Sequence, residues 1–345
     1  MSIIITILAI AVMILIHEWG HFIAGRICKT LISEFSLGMG PAIFQKKGKK
    51  ETTFSIRAIP LGGYCAFDEA TTEEGEEPKE SSFQKLPVIK RLFIFIMGPL
   101  MNFVLAFIVF ISMVLFVGIP TTSTVIESSK ANSTIEIMSN DEIIAVNNVD
   151  VTGSYNNMIN EFAKAIKEDY TKTIPVTILR NGEKITTTIT PQYDEVTDKC
   201  SIGITTKYIY EKQNVLSSMK YGAVLTVNSA SMVVESLAGL ITGKYAASEM
   251  SGIIGVVDIM SEHANADSAF TFLQLMGVIS VNLGLMNLLP IPGLDGSKIL
   301  FGIIEAVRRK PIPQEVEVKL TVAGFVLLIG LFVFATFNDI TRIFS

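Results

Sequence analysis

Histidine and cysteine are scarce in this chain: its 345 residues include three of each. Cys28, Cys65 and Cys200 are widely spaced and odd in number, and no Cys-x-x-Cys pair exists. Neither a disulfide framework nor a cysteine metal site is expected, and ordinary packing is the simplest role for all three. Basic residues are missing from the start of the chain, where the first is Arg26. The apolar N-terminal run therefore lacks the basic leader of a secretory signal peptide. The net charge of −5 gives no sign of a nucleic-acid partner, and none is expected.

Apolar residues are abundant. They make up 49% of the chain, with a mean hydropathy of +0.48, which few soluble domains reach. The composition describes an integral membrane protein with room for one extramembrane domain. Four spans are expected, at about 3–24, 92–117, 269–289 and 320–337. Each has roughly the 20 residues needed to cross a hydrocarbon core of about 30 Å. Basic residues concentrate after the first span, including Lys46, Lys47, Lys90 and Arg91, and again at Arg308, Arg309 and Lys310. The positive-inside rule assigns these loops to the cytoplasm and the N-terminal end of the first span to the outside. The acidic run at 68–80 reads as a solvated segment without a function of its own.

The polar stretch at 120–210 has the pattern of a small α+β domain. Residues 141–146 form a strand running into a tight turn at Asn147 and Asn148. The helical period at 156–168 gathers Met158, Ile159, Phe162 and Ile166 on one side. Two β-rich runs flank Asn181-Gly182, the signal of a type I′ hairpin. The order of the spans makes this domain extracytoplasmic. The stretch 221–243 is partly apolar, but Asn228, Ser229, Ser231, Glu235 and Ser236 interrupt it. It reads as an amphipathic helix along the outer interface. A fifth span there would invert the two that follow.

Within the first span stands His17-Glu18-x-x-His21. On a helix the two imidazoles project from one face and can share a metal ion, with the glutamate beside them as a general base. An ionisable group at membrane depth is costly and is functional by default. Catalytic zinc usually takes three protein ligands and leaves one position for water. Depth selects the third: the metal lies on the order of 10 Å inside the cytoplasmic face, counting about 1.5 Å per residue back from Arg26. The C-terminal end of the third span returns to that level. There Pro290, Pro292, Gly293 and Gly296 break the helix around Asp295, and irregular backbone at membrane depth marks a site. The competing His263 precedes the third span and belongs near the outer face.

These motifs, with a single inserted extracytoplasmic domain, closely resemble the site-2 protease family of intramembrane zinc metalloproteases, in its bacterial branch with one PDZ domain. The resemblance implies a polytopic α-helical membrane protein of four transmembrane helices, with a membrane re-entrant β-hairpin and an inserted α+β PDZ domain. The expected layout is 1–118 for the first two spans and the re-entrant β-loop, and 119–210 for the PDZ domain. An interfacial helical segment at 211–265 follows, then the last two spans at 266–345. It implies Zn2+ held by His17, His21 and Asp295, with Glu18 catalytic. Gly62, Gly63, Asn102, Asn282, Asn287, Pro290 and Pro292 match positions that face substrate in the family. Ser251-Gly252-Ile253 departs from the Gly-Pro pair of many relatives. The partners implied are the lipid bilayer and transmembrane protein substrates, such as anti-sigma factors or signal-peptide remnants, already cut once by another protease. The location implied is the plasma membrane, multi-pass, with both termini and the PDZ domain outside and the active site near the cytoplasmic side. Two rival readings make different demands. A membrane-tethered PDZ adaptor with a non-catalytic metal site predicts a missing ligand, and all are present. A metal transporter predicts further ionisable residues along the spans, which are nearly free of them.

Overall fold

The structure is a computed structural model that describes residues 2–48, 52–67, 82–169, 171–194, 199–245, 252, 255–257, 260 and 269–344. The acidic run at 68–80, together with Ser251, Ile253 and His263, lies outside the described residues. The chain divides into two compact units, Met1–Phe116 with Asn214–Ser345, and Val117–Gln213.

The first unit is a helical bundle with a β-sheet. Helix α1 (Ser2–Ile27) and helix α2 (Val88–Ser112) pack closely. Between them the chain forms β1 (Ile32–Lys47) and β2 (Thr53–Phe67), which pair antiparallel with marked irregularities. Those irregularities have a simple origin: Glu34, Phe35, Ser36 and Leu37 lie between two parts of β2, residues 53–56 on one flank and 63–66 on the other. Trp19, Phe22, Phe35 and Phe54 stack edge-to-face or offset between α1 and this sheet, the arrangement ring quadrupoles favour. The hairpin expected near 59–64 is thus part of a sheet fastened to α1.

The rest of this unit comprises α4 (Val215–Ile241), α5 (Ala269–Leu288), α6 (Asp295–Arg308) and α7 (Gln314–Phe344). Among the described residues five helices are long and apolar enough to cross a membrane, one more than the four spans expected. The addition is α4, where the sequence suggests an interfacial segment. Its polar residues interrupt the apolar run less than they appear to in the sequence. Thr226 Oγ1 and Ser236 Oγ return their protons to the Gly222 and Met232 carbonyls four residues back, at 2.8 Å each. Nor does this helix invert α5. Gly222 of α4 meets Phe107 and Ile111 of α2, and the following turns of α4 reach Phe103. In α5, Gly277 meets Phe110, while Gly284 meets Pro99 and Phe103. Both helices therefore run antiparallel to α2 and parallel to each other.

The second unit is built on a seven-stranded sheet. Its strands are β3 (Ile119–Ser129), β4 (Asn132–Ser133), β5 (Glu142–Val146), β6 (Val149–Asp150), β7 (Ile174–Arg180), β8 (Glu183–Thr190) and β11 (Ile204–Glu211). The order is β11-β3-β5-β7-β8-β4, with β6 on β5, and β9 (Gln192–Asp194) pairs separately with β10 (Lys199–Ser201). Both turns read from the sequence have the left-handed backbone that type I′ requires: Asn147 and Asn148 at φ 52° and 64°, Asn181 and Gly182 at 51° and 86°. Helix α3 (Tyr155–Glu168) is capped by Ser154, whose hydroxyl accepts from the Asn157 amide. It buries Met158 and Phe162 against Ile143, Val176 and Ile178. Asp141, only 1% exposed, accepts two hydrogen bonds from the Arg180 guanidinium at 2.7 and 2.8 Å.

Candidate metal centre

Helix α1 brings His17 and His21 one turn apart onto its buried face, and both are under 10% exposed. Asp295 arrives from the far end of the sequence. After α5 the chain breaks over 289–294, where Leu294 N–H bonds to Ile291 O at 3.0 Å and Gly293 adopts φ 100°. Asp295 is then the first residue of α6. The break is clamped from the other side, because Gly324 of α7 lies directly on the Pro292 carbonyl. At position 296 a side chain would strike the Leu288 and Leu289 carbonyls, so glycine is required for the turn that delivers Asp295.

The three side chains converge. His17 Nε2 lies 3.0 Å and His21 Nε2 3.2 Å from Asp295 Oδ2, and the two Nε2 atoms are 3.3 Å apart. Each residue offers one ligand atom, and these atoms lie within 4.8 Å of one another. The donor set and its spacing fit zinc. Ligands at about 2.0–2.1 Å in a tetrahedral arrangement sit roughly 3.3 Å from one another, and two nitrogens with one carboxylate oxygen leave a fourth position open. Hydrogen bonding supports the same conclusion for His21. Its Nδ1 faces the Ile94 carbonyl at 2.9 Å, and a carbonyl can only accept. The proton of neutral His21 is therefore on Nδ1, and the Nε2 lone pair points into the cluster.

Glu18 is half-buried beside this cluster and accepts a hydrogen bond from the Cys65 backbone amide of β2. Gly63 of the same strand is so close that a side chain there would come within 3.3 Å of Glu18 Cγ. The structure thus brings together His17, Glu18, His21, Gly63 and Asp295. Gly62 is one residue removed, at φ 94° against Met39. Asn287 and Pro292 are half-buried on the approach to Asp295, while Asn282 and Pro290 are exposed. Asn102, matched to a substrate-facing position, is instead fully buried, with Nδ2 3.2 Å from His17 Nδ1.

Two contributors were not anticipated from the sequence. Gly98 of α2 lies flush against the His21 ring, and any Cβ there would overlap it. The Ile94 carbonyl can accept from His21 because α2 approaches α1 closely here, with Gly98 against the His21 ring and Gly20 against the Met97 carbonyl. A Gly-Pro pair inside an otherwise apolar helix was the available signal.

Comparison with known proteins gives the family. The model of peptidase family M50 matches residues 5–331. A candidate zinc metalloprotease of Clostridium acetobutylicum is 33% identical, covering 98% of this chain and 97% of its own length. The "probable protease eep" of Enterococcus faecalis is 29% identical, with 99% of each chain covered. Zinc metalloprotease RasP of Bacillus licheniformis is 27% identical over the same shares. With its match extending over nearly the whole sequence, the chain belongs to peptidase family M50, the site-2 proteases, and is an intramembrane zinc metalloprotease.

Proposed function

We propose that His17, His21 and Asp295 hold the zinc ion, that Glu18 is the general base, and that the substrates are transmembrane segments of other membrane proteins. The observation that carries this is the meeting of three ligand atoms from α1 and α6 beside a glutamate. Zinc bound there supplies Lewis acidity, making a water molecule acidic near neutral pH and stabilising negative charge on the scissile carbonyl oxygen. Glu18 takes the proton of the attacking water and later gives it to the leaving amine. The Cys65 amide restrains the carboxylate in reach of that path.

A peptide bond inside a helix is shielded, so a transmembrane substrate has to unwind before it is cut. The stretch of β2 around Gly62 and Gly63 re-enters the membrane and accepts the unwound segment by strand addition, which satisfies the substrate's backbone groups. Asn282 and Asn287 on α5 offer polar groups to that segment, and Pro290 and Pro292 form a non-helical wall. The unit Val117–Gln213 is a PDZ-type domain outside the cell that screens substrates cut once already by another protease. The basic loops then face the cytoplasm, the centre lies near the cytoplasmic side of the plasma membrane, and both termini lie outside. Because α4 and α5 run in the same direction, the added helix leaves Asp295 on the side of His17.

The test is a Glu18→Gln substitution in the full chain. Zinc content is expected to remain at one equivalent while cleavage of a co-expressed single-span substrate falls at least about 1,000-fold, the scale of losing a general base together with its orienting role. Cleavage at the parental rate would refute the assignment.

A further inference from the structure

The buried Asn102 is adjacent to the metal cluster but cannot reach a substrate. Its side chain is 0% exposed, Nδ2 sits 3.2 Å from His17 Nδ1, and Oδ1 is buried with no hydrogen-bond partner. Its backbone is held independently, since Ser280 of α5 donates to the Asn102 carbonyl at 2.8 Å. The amide is therefore fixed in place by packing and is free only to turn about its own axis.

That freedom matters for His17. A neutral imidazole carries one proton, on either Nδ1 or Nε2. Zinc requires the lone pair of His17 Nε2, so the proton then sits on Nδ1 and needs an acceptor. For His21 a backbone carbonyl fills that role and can fill no other. For His17 the only hydrogen-bonding group at Nδ1 among the described residues is the Asn102 amide. With Nδ2 forward it donates to a bare Nδ1, and the Nε2 proton then points to Asp295 Oδ2 at 3.0 Å. With Oδ1 forward it accepts from Nδ1–H, and the Nε2 lone pair is released into the cluster. The oxygen and nitrogen of an amide are nearly the same size, so a half-turn interconverts the two arrangements without repacking.

We propose that Asn102 is the positioning residue that sets the tautomer of His17: its amide oxygen holds the Nδ1 proton when metal is bound, and its amide nitrogen satisfies Nδ1 when metal is absent. This rests on the reading of His17 as a zinc ligand. Asn102 differs in kind from the Ile94 carbonyl because it serves both tautomers, so His17 Nδ1 keeps a hydrogen-bond partner whether zinc is bound or released.

The experiment compares zinc affinity, by competition with a chromophoric chelator, in the detergent-solubilised full chain and three variants. Asn102→Asp keeps an acceptor at Nδ1 and is expected to bind zinc within a few-fold of the parent or tighter. Asn102→Leu, of similar volume and without an acceptor, is expected to bind about 10–100-fold more weakly, the usual effect of losing a ligand's outer hydrogen bond. A packing role alone predicts the reverse order, since a carboxylate is costly in a buried apolar site and leucine is not. The proposal is overturned if Asn102→Leu binds zinc like the parent, or if Asn102→Asp binds no better than Asn102→Leu. His17→Ala separates the two levels of inference. It is expected to lose zinc; if it binds zinc normally, the ligand assignment itself fails, and if it loses zinc while Asn102→Leu does not, only the tautomer proposal fails.

Discussion

At the residue scale the centre depends on how closely α2 approaches α1. The tightest point is Gly98, where the missing side chain leaves room for the His21 ring. Gly98→Ala adds a single methyl group, and in a helix interior alanine is the better residue by roughly 1 kcal/mol. Here that preference is overridden, because the methyl has to displace either the ring or the helix. We expect Gly98→Ala to keep full helical content by circular dichroism while zinc affinity falls at least about tenfold, read by the same chelator competition. Parental affinity would mean that α2 can withdraw without disturbing the ligands. His17, Glu18, His21 and Asp295 were legible in the sequence because metal chemistry restricts the residue types and an apolar span isolates them. The placement of Asn102 was not, since its identity suits a substrate contact and a buried hydrogen bond equally, and only three-dimensional position separates them.

At the scale of elements, the sequence was most informative where local chemistry fixes the backbone. Asn181-Gly182 sets a type I′ turn and with it the register of β7 on β8, and the periodic Met158 and Phe162 set the buried face of α3. It was least informative for α4, whose hydroxyl-rich turns read as interruptions because a hydropathy count does not register bonds returned to the helix's own carbonyls. The flanking of Glu34–Leu37 by two parts of β2 was equally hidden, as strand order is a long-range property. One pair outside the membrane unit yields a prediction at this scale. The Arg180 guanidinium on β7 holds the Asp141 carboxyl below the ordinary carboxylate range, and burial opposes it only in part. A carboxyl whose folded pKa is depressed stabilises fully above its unfolded value near 4, and that contribution disappears as pH falls through the folded value. Hydrogen exchange of the sheet at 119–211 is therefore expected to lose protection steadily below about pH 4. Arg180→Met should reduce that protection at neutral pH, because Asp141 loses two hydrogen bonds and keeps the one from the Met138 amide, and should flatten the acid dependence. An unchanged acid profile in Arg180→Met would show that the pair does not set it.

For the whole molecule, the proposed zinc site joins segments far apart in the sequence. His17 and Asp295 are 278 positions apart, one on the first helix and the other at the start of α6. Whatever binds the assembled cluster and not the separated segments stabilises the assembled state by mass action. Removing zinc by dialysis against a chelator is expected to lower the thermal midpoint of the bundle, and re-adding zinc at 100 times its dissociation constant to restore about 2.7 kcal/mol. The loss of protection should centre on residues 289–294, where irregular backbone is held by a few turns and by contacts of Pro292 and Gly293 with α7. A midpoint that ignores zinc would mean the cluster is preformed with no net gain from the ion.

The distance between those ligands along the chain also determines when proteolysis can begin. Helix α1 leaves the ribosome carrying its two histidines and its glutamate, yet Asp295 follows His17 by 278 residues. On the proposed ligand set, a nascent copy in the membrane has no complete cutting centre until translation has passed Asp295 and α6 has docked.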